Sequence, residues 1–234
     1  MEGARACLAA LLAFGAGPVW ADTVSARYDA PTTRYAHGVL GDAVEWGARV
    51  LSAEGRETRI TLPEARVFED IAPRLVTLPG GMAAIVVESH RDFGARLALY
   101  RAEGLIATTP YIGTPNRWLA PIGAGDLDGD GRVEIAYIDR PHLAKRLRVW
   151  RFDGTVAEGG LNHVVDLEGL TNHKIGWDFI AGGLRDCGSG PEMITADGAW
   201  ARVMATVLRG GVLTTREIGR YGGPDTLEAA LSCP

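Results

Sequence analysis

What most restricts the fold of this chain is the recurrence of short β-prone runs broken by glycine turns. Three segments follow one plan: a strand carrying a bend, a Gly-containing turn, then an apolar strand. They run from Asp70 to Glu88, from Trp118 to Tyr137 and from Asp178 to Ile194, and the corresponding positions Ala84, Glu134 and Glu192 are spaced 50 and 58 residues apart. A weaker copy comes first, with Tyr35 to Leu40 leading through Gly41-Asp42 into Val44-Glu45-Trp46-Gly47. After each of the three turns a further strand pair follows, ending at Ile112, Leu167 and Ile218, and only Leu227 to Leu231 has a helical pattern. Four strands per unit at such a period are the pattern of propeller blades, in which each small sheet buries its faces against its neighbours. The expectation is an all-β fold, a small β-propeller of four-stranded blades. Four blades are countable, and a fifth built from residues 22–33 and the C-terminal tail is left open.

The turn of the third unit carries the strongest chemical signal. Asp126-Leu127-Asp128-Gly129-Asp130-Gly131-Arg132-Val133-Glu134 sets three carboxylates at alternate positions, a glycine that lets the backbone turn back and an acid at the ninth position. Such a loop is an oxygen-rich cradle for a hard cation such as Ca²⁺. The first alternate positions match an EF-hand loop, but the acid that an EF-hand needs at position twelve falls on Tyr137, so the loop is not an EF-hand. It runs straight into a β-rich segment and therefore reads as a hairpin turn. A Mg²⁺ site for phosphoryl transfer and a merely solvated acidic turn are the competing readings. The nearly complete oxygen shell favours structural Ca²⁺, since Mg²⁺ keeps several waters.

Ala124-Gly125-Asp126-Leu127-Asp128-Gly129-Asp130-Gly131 with Glu134-Ile135-Ala136 resembles the FG-GAP, or VCBS-type, repeat of integrin-α-like β-propellers. The match is specific over one unit and diffuse over roughly residues 34–219. The resemblance implies that the acidic loop joins the first two strands of a blade and binds Ca²⁺ through the side chains of Asp126, Asp128, Asp130 and Glu134 and the carbonyl of Arg132. The other turns depart from the motif. Thr77-Leu78-Pro79-Gly80-Gly81 has no carboxylate and Asp186-Cys187-Gly188-Ser189-Gly190-Pro191-Glu192 has too few, so one calcium site is expected.

The N-terminus points to export. Arg5, the apolar stretch Ala6–Gly17 and Val19-Trp20-Ala21 before Asp22 have the layout of a signal peptide over residues 1–21, leaving 22–234 as one domain in the periplasm or outside the cell. No apolar run is long enough for a membrane span. In an oxidising compartment Cys187 and Cys233 form a disulfide, because Cys7 leaves with the signal peptide; two free thiols are the alternative. Closing that loop would stabilise by about 3–4 kcal/mol. A net charge of −5 with interspersed signs recommends no nucleic acid.

Propeller topology puts 1–2 turns on one face and 2–3 loops with blade-to-blade connections on the other. The latter face gathers His90, Asp139, Arg140 and His142 from two hairpin loops, and Arg117, Trp118, Asn172 and His173 from two connections. Guanidinium groups fork carboxylates and an indole stacks on sugars, so a carboxylate or sugar ligand suits this face. His90, His142 and His173 also have the right ligand type for a metal, without a supporting short spacing. No nucleophile elbow, phosphate loop, metalloprotease helix or dinucleotide fingerprint occurs. The reading is a calcium-binding interaction module for a protein or carbohydrate partner, the alternative a carbohydrate-active hydrolase or lyase using the His/Arg face.

Overall fold

The computed structural model describes residues 24–41, 45–53, 55–154 and 160–233. The expected signal peptide at 1–21, and the Asp42–Val44 part of the first turn, lie outside them. The fold is almost all β, arranged as three antiparallel sheets. The first sheet has eight strands: β1 (Ser25–Thr32), β2 (Glu45–Ala53), β3 (Arg56–Thr61), β4 (Arg66–Phe68), β5 (Arg74–Leu78), β6 (Gly81–His90), β7 (Gly94–Arg101) and β8 (Gly104–Thr108). The second is a four-strand meander of β9 (Leu119–Gly125), β10 (Glu134–Asp139), β11 (Arg146–Phe152) and β12 (Leu161–Glu168). The third holds β13 (Leu170–Thr171), β14 (Gly183–Asp186), β15 (Pro191–Asp197), β16 (Arg202–Arg209) and β17 (Val212–Arg220), followed by helix α1 (Pro224–Ala229).

Each of the three strong sequence units contains an up-and-down meander, β5–β8, β9–β12 and β14–β17. The first, weaker unit differs from expectation. Tyr35–Leu40 is irregular rather than a strand, and β2 pairs instead with β1. The short β4 pairs with both β2 and β6, so the first two units share one sheet, curled into a half-barrel, rather than forming separate blades. Residues 25–32 are thereby taken up by the first sheet, while the tail forms α1 on the third, so the two do not combine into a fifth blade.

The second sheet is the middle layer. All six residues of β10 are buried, which explains the unbroken Glu-Ile-Ala-Tyr-Ile-Asp run, since alternating polarity is expected only where one face meets water. Ile135 and Tyr137 join Ile85, Val87, Leu97 and Leu99 of the first sheet in one core; Ala136 and Ile138 join Met193 and Leu208 of the third in another. At Gly123 on β9 an added Cβ would come within 2.7 Å of the Leu184 side chain on β14, so only glycine permits that approach. Leu227 of α1 caps the outer face of the third sheet on Ile194, Ala196 and Val203. Beyond α1, Cys233 is bonded to Cys187 in the β14–β15 turn, with their Cα atoms 5.5 Å apart.

On the other side of β6 the buried carboxylate of Glu88 organises the half-barrel. It accepts hydrogen bonds from Arg66 at 2.7 Å, Arg96 at 2.8 Å, Tyr100 at 2.8 Å and Tyr111 at 3.0 Å. Removing one partner of such a network leaves desolvated charges without a counterion. Glu88→Ala is expected to lower the free energy of unfolding by about 3 kcal/mol, measured by urea denaturation.

Candidate functional site

The acidic loop joins β9 to β10, and its conformation is written by its own side chains. The Asp126 carboxylate accepts the amides of Gly129 at 2.7 Å, Asp130 at 3.0 Å and Gly131 at 2.9 Å, folding the chain around itself. Gly129 and Gly131 supply the positive φ angles of 82° and 83° that this turn requires. Carboxylate oxygens of Asp126, Asp128 and Asp130 consequently lie within 4.8 Å of one another, a group that can hold a metal ion.

Glu134, expected as a fourth side-chain ligand, is not part of that group. It is buried at the base of the loop, where it accepts the Leu127 amide at 3.0 Å and Arg151 Nε at 2.5 Å. Burial raises its pKa, opposed mainly by the Arg151 hydrogen bond. Arg151 also reaches Asp128 at 2.7 Å and Asp130 at 3.1 Å. The Arg132 side chain folds onto Asp130, at 2.9 Å, and that hydrogen bond holds the Asp130 carboxyl below the usual range.

At the other end of β9 and β10, roughly 17 Å away at 3.3 Å per residue, loops converge on a cavity of about 170 Å³. Arg117 and Trp118 enter from the β8–β9 connection, Arg140 and His142 from the β10–β11 loop, and His37 from the irregular segment before β2. Leu143 and Ile175, 64% and 75% exposed, form an apolar lip. Arg140 adopts a left-handed φ of 46°, fixed by its amide donating to Trp118 O at 3.0 Å and its carbonyl accepting the Leu143 and Lys145 amides. Backbone strain of this kind persists where surrounding structure over-determines it. Its guanidinium is held by Asp139, at 2.8 and 2.9 Å, a carboxylate that Arg148 shares at 3.2 Å. Arg117 hydrogen-bonds only the Asn116 carbonyl, and among the described residues it has no carboxylate partner.

Two imidazoles are held in defined tautomers. His173 is fully buried, with its ring edge-on to Trp118, and its Nε2 lies 3.0 Å from Trp177 O, which can only accept. Its Nδ1 lies 2.9 Å from His142 Nε2. Burial lowers the pKa of both rings, that of His142 to about 4. With both neutral, His142 Nε2 must carry the proton and its Nδ1 a lone pair. His37 Nδ1 pairs at 2.6 Å with Glu69, a carboxylate whose pKa burial raises and whose other oxygen accepts Ser89 Oγ at 2.5 Å. Trp118 Nε1 binds the Glu69 carbonyl at 2.8 Å, tying the cavity floor to the first sheet.

Of the residues expected on this face, Arg117, Trp118, Arg140 and His142 line the cavity, His173 lies behind His142, and Asp139 anchors Arg140. Asn172 is buried beside them, reaching the Ala120 and Pro121 carbonyls at 3.4 Å. His90 stands apart, packed on Phe93 and Tyr111 at the end of β6, so the three-histidine grouping of His90, His142 and His173 does not form. Sequence reasoning missed His37 and Glu69, because placing Tyr35–Leu40 in a strand hid the loop that carries His37. It also missed what steadies the His173 loop: Lys174 Nζ sits 4.6–5.6 Å from the ring centres of Trp177, Trp200 and Tyr221.

The fold and site define an all-β protein of stacked antiparallel sheets with an acidic hairpin loop at one end and a small cavity of mixed polar and apolar lining at the other. The chain matches no family model, and neither curated proteins nor solved structures show a significant match to it. No helix among the described residues is long and apolar enough to cross a membrane.

The depressed pKa of His142 fixes a sign. A group whose folded pKa lies below its unfolded value stabilises the fold fully above the unfolded pKa and loses that contribution as pH falls through the folded one. In EDTA the His142 ring resonances are expected to titrate with a midpoint near 4, and stability to fall as pH drops from about 6.5 toward 4. A midpoint near 6.5, read by NMR, would contradict the buried His142–His173 contact.

Proposed function

We propose that this chain is an exported binding module of the FG-GAP/VCBS β-propeller type, with Ca²⁺ bracing the acidic hairpin and a small ligand bound in the cavity at the other end. The observation that carries the reading is the convergence of His37, Arg117, Trp118, Arg140 and His142, from three separate segments, on one concave space. Loops borne on a rigid scaffold are where binding is usually built. The meanders β5–β8, β9–β12 and β14–β17, packed face to face, support the blade reading. The Cys187–Cys233 bond supports export.

Charge supports a divalent ion in the loop. Asp126, Asp128, Asp130 and Glu134 carry four formal negative charges against two from Arg132 and Arg151, leaving a residue of −2 that a divalent cation balances. All-oxygen donors on an irregular turn suit Ca²⁺ better than Mg²⁺, which demands near-ideal octahedral geometry. Its role is structural: the ion would lock the turn that joins the two central strands.

Calcium at one hundred times Kd should stabilise the protein by about 2.7 kcal/mol, raising Tm by about 5–10 °C over EDTA, and Asp128→Ala should abolish the increment. Equal melting of the parent protein with Ca²⁺, Mg²⁺ and EDTA would remove the calcium assignment. Ligand binding is tested separately, by a thermal-shift panel of monosaccharides and small carboxylates on the parent protein and Arg117→Ala. Hits lost in the variant place binding in the cavity, and turnover of any hit would favour the hydrolase or lyase alternative.

A further inference from the structure

Resting on the reading of the cavity as a ligand site, we propose that its ligand is a small 2-hydroxy or 2-amino carboxylate with an apolar side chain, its carboxylate on Arg117, its hydroxyl or amino group on His142 Nδ1 and its side chain on the Leu143–Ile175 lip. Each part of the ligand answers a separate feature of the cavity. Size comes first. A cavity of about 170 Å³ is small beside the roughly 300 Å³ or more of drug-sized sites, so it suits a ligand, or the end of one, of about ten heavy atoms.

The charge of the ligand follows from the two arginines. Arg140 is already engaged by the bidentate Asp139 contact, whereas Arg117 is half-buried and satisfies only a backbone carbonyl. An arginine without a carboxylate partner, at the wall of a cavity whose lining also holds none, is best matched by an anion, and its planar fork fits a carboxylate in particular.

The donor follows from the hydrogen-bond relay. Trp177 O accepts from His173 Nε2, His173 Nδ1 accepts from His142 Nε2, and His142 Nδ1 is left as an acceptor with no protein donor among the described residues. His142 is only partly buried and borders the cavity. The ligand must therefore bring a hydrogen-bond donor close to its carboxylate, and a 2-hydroxyl or 2-ammonium group is the shortest way to do so. The apolar part follows from the lip: Leu143 and Ile175 are among the most exposed large hydrophobic residues of the structure, and both border this cavity.

Four compounds separate the three contacts by isothermal titration: 2-hydroxy-4-methylpentanoate, 4-methylpentanoate lacking the hydroxyl, 4-methylpentane-1,2-diol lacking the carboxylate, and lactate lacking the side chain. The first should bind tightest, with losses of about fivefold without the hydroxyl and at least tenfold without the carboxylate, and roughly tenfold without the side chain. Arg117→Ala should erase the preference over the diol with an unchanged melting profile, and Arg117→Lys should retain part of it; His142→Phe should erase the preference over 4-methylpentanoate and also lower Tm, because it leaves the buried His173 Nδ1 without its donor. Equal binding of all four compounds, or preferences that survive both substitutions, would overturn the ligand class. If none of the four binds while a monosaccharide does and depends on Arg117, the class falls and the cavity reading stands. If nothing in either panel binds, both fall.

Discussion

Everything in this molecule is arranged about a strand with no solvent face. β10 has the first sheet's core on one side and the third sheet's on the other, so its side chains must be apolar in both directions along its middle and polar only at its ends. The polar ends, Glu134 and Asp139, are themselves buried and therefore need cations. Glu134 finds Arg151, and Asp139 finds Arg140 with Arg148. Each pairing then shapes what lies beyond it: Arg151 extends into the acidic loop, and Arg140 turns into the cavity wall. The two candidate sites are thus consequences of terminating one buried strand at both ends.

Much of this was legible in the sequence, for a definite reason. The meanders β5–β8, β9–β12 and β14–β17 are local, with successive strands joined by short turns whose glycines and aspartates announce themselves. Likewise the acidic loop folds on hydrogen bonds between residues at most five apart, so its spacing carried its geometry. The disulfide followed from arithmetic on three cysteines.

What escaped was non-local. β4 is three residues long and has no pattern of its own, yet by pairing with both β2 and β6 it fuses the first two units into one sheet. Nothing in Arg66-Val67-Phe68 signals that. His37 was invisible as a site residue because its significance lies in Glu69, thirty-two positions away, and in the cavity it helps to line. The start of the fourth unit was placed too early: Asp178–Ala181 is not a strand, since Trp177 stacks on Phe179 and the Ala181 amide is drawn to Asn172 O. Glu134 shows a second partner that spacing did not reveal. Its position in the acidic motif suggested a ligand, but burial demanded a partner, and Arg151, seventeen residues on, supplied it.

The position of Arg151 bears on how the two ends communicate. Its guanidinium spans Glu134, Asp128 and Asp130, so it fills part of the same electrostatic well that a divalent ion would occupy. An ion drawing Asp128 and Asp130 together would loosen their hold on Arg151 while leaving its bond to Glu134, because that carboxylate is buried at the loop base and outside the group of three. The loop can therefore tighten without displacing β10. A strand packed on both faces transmits little of such a change, since moving it would open two cores at once. The architecture that makes the loop and the cavity two ends of one element also insulates them from one another, which suits a rigid binding scaffold rather than a switch.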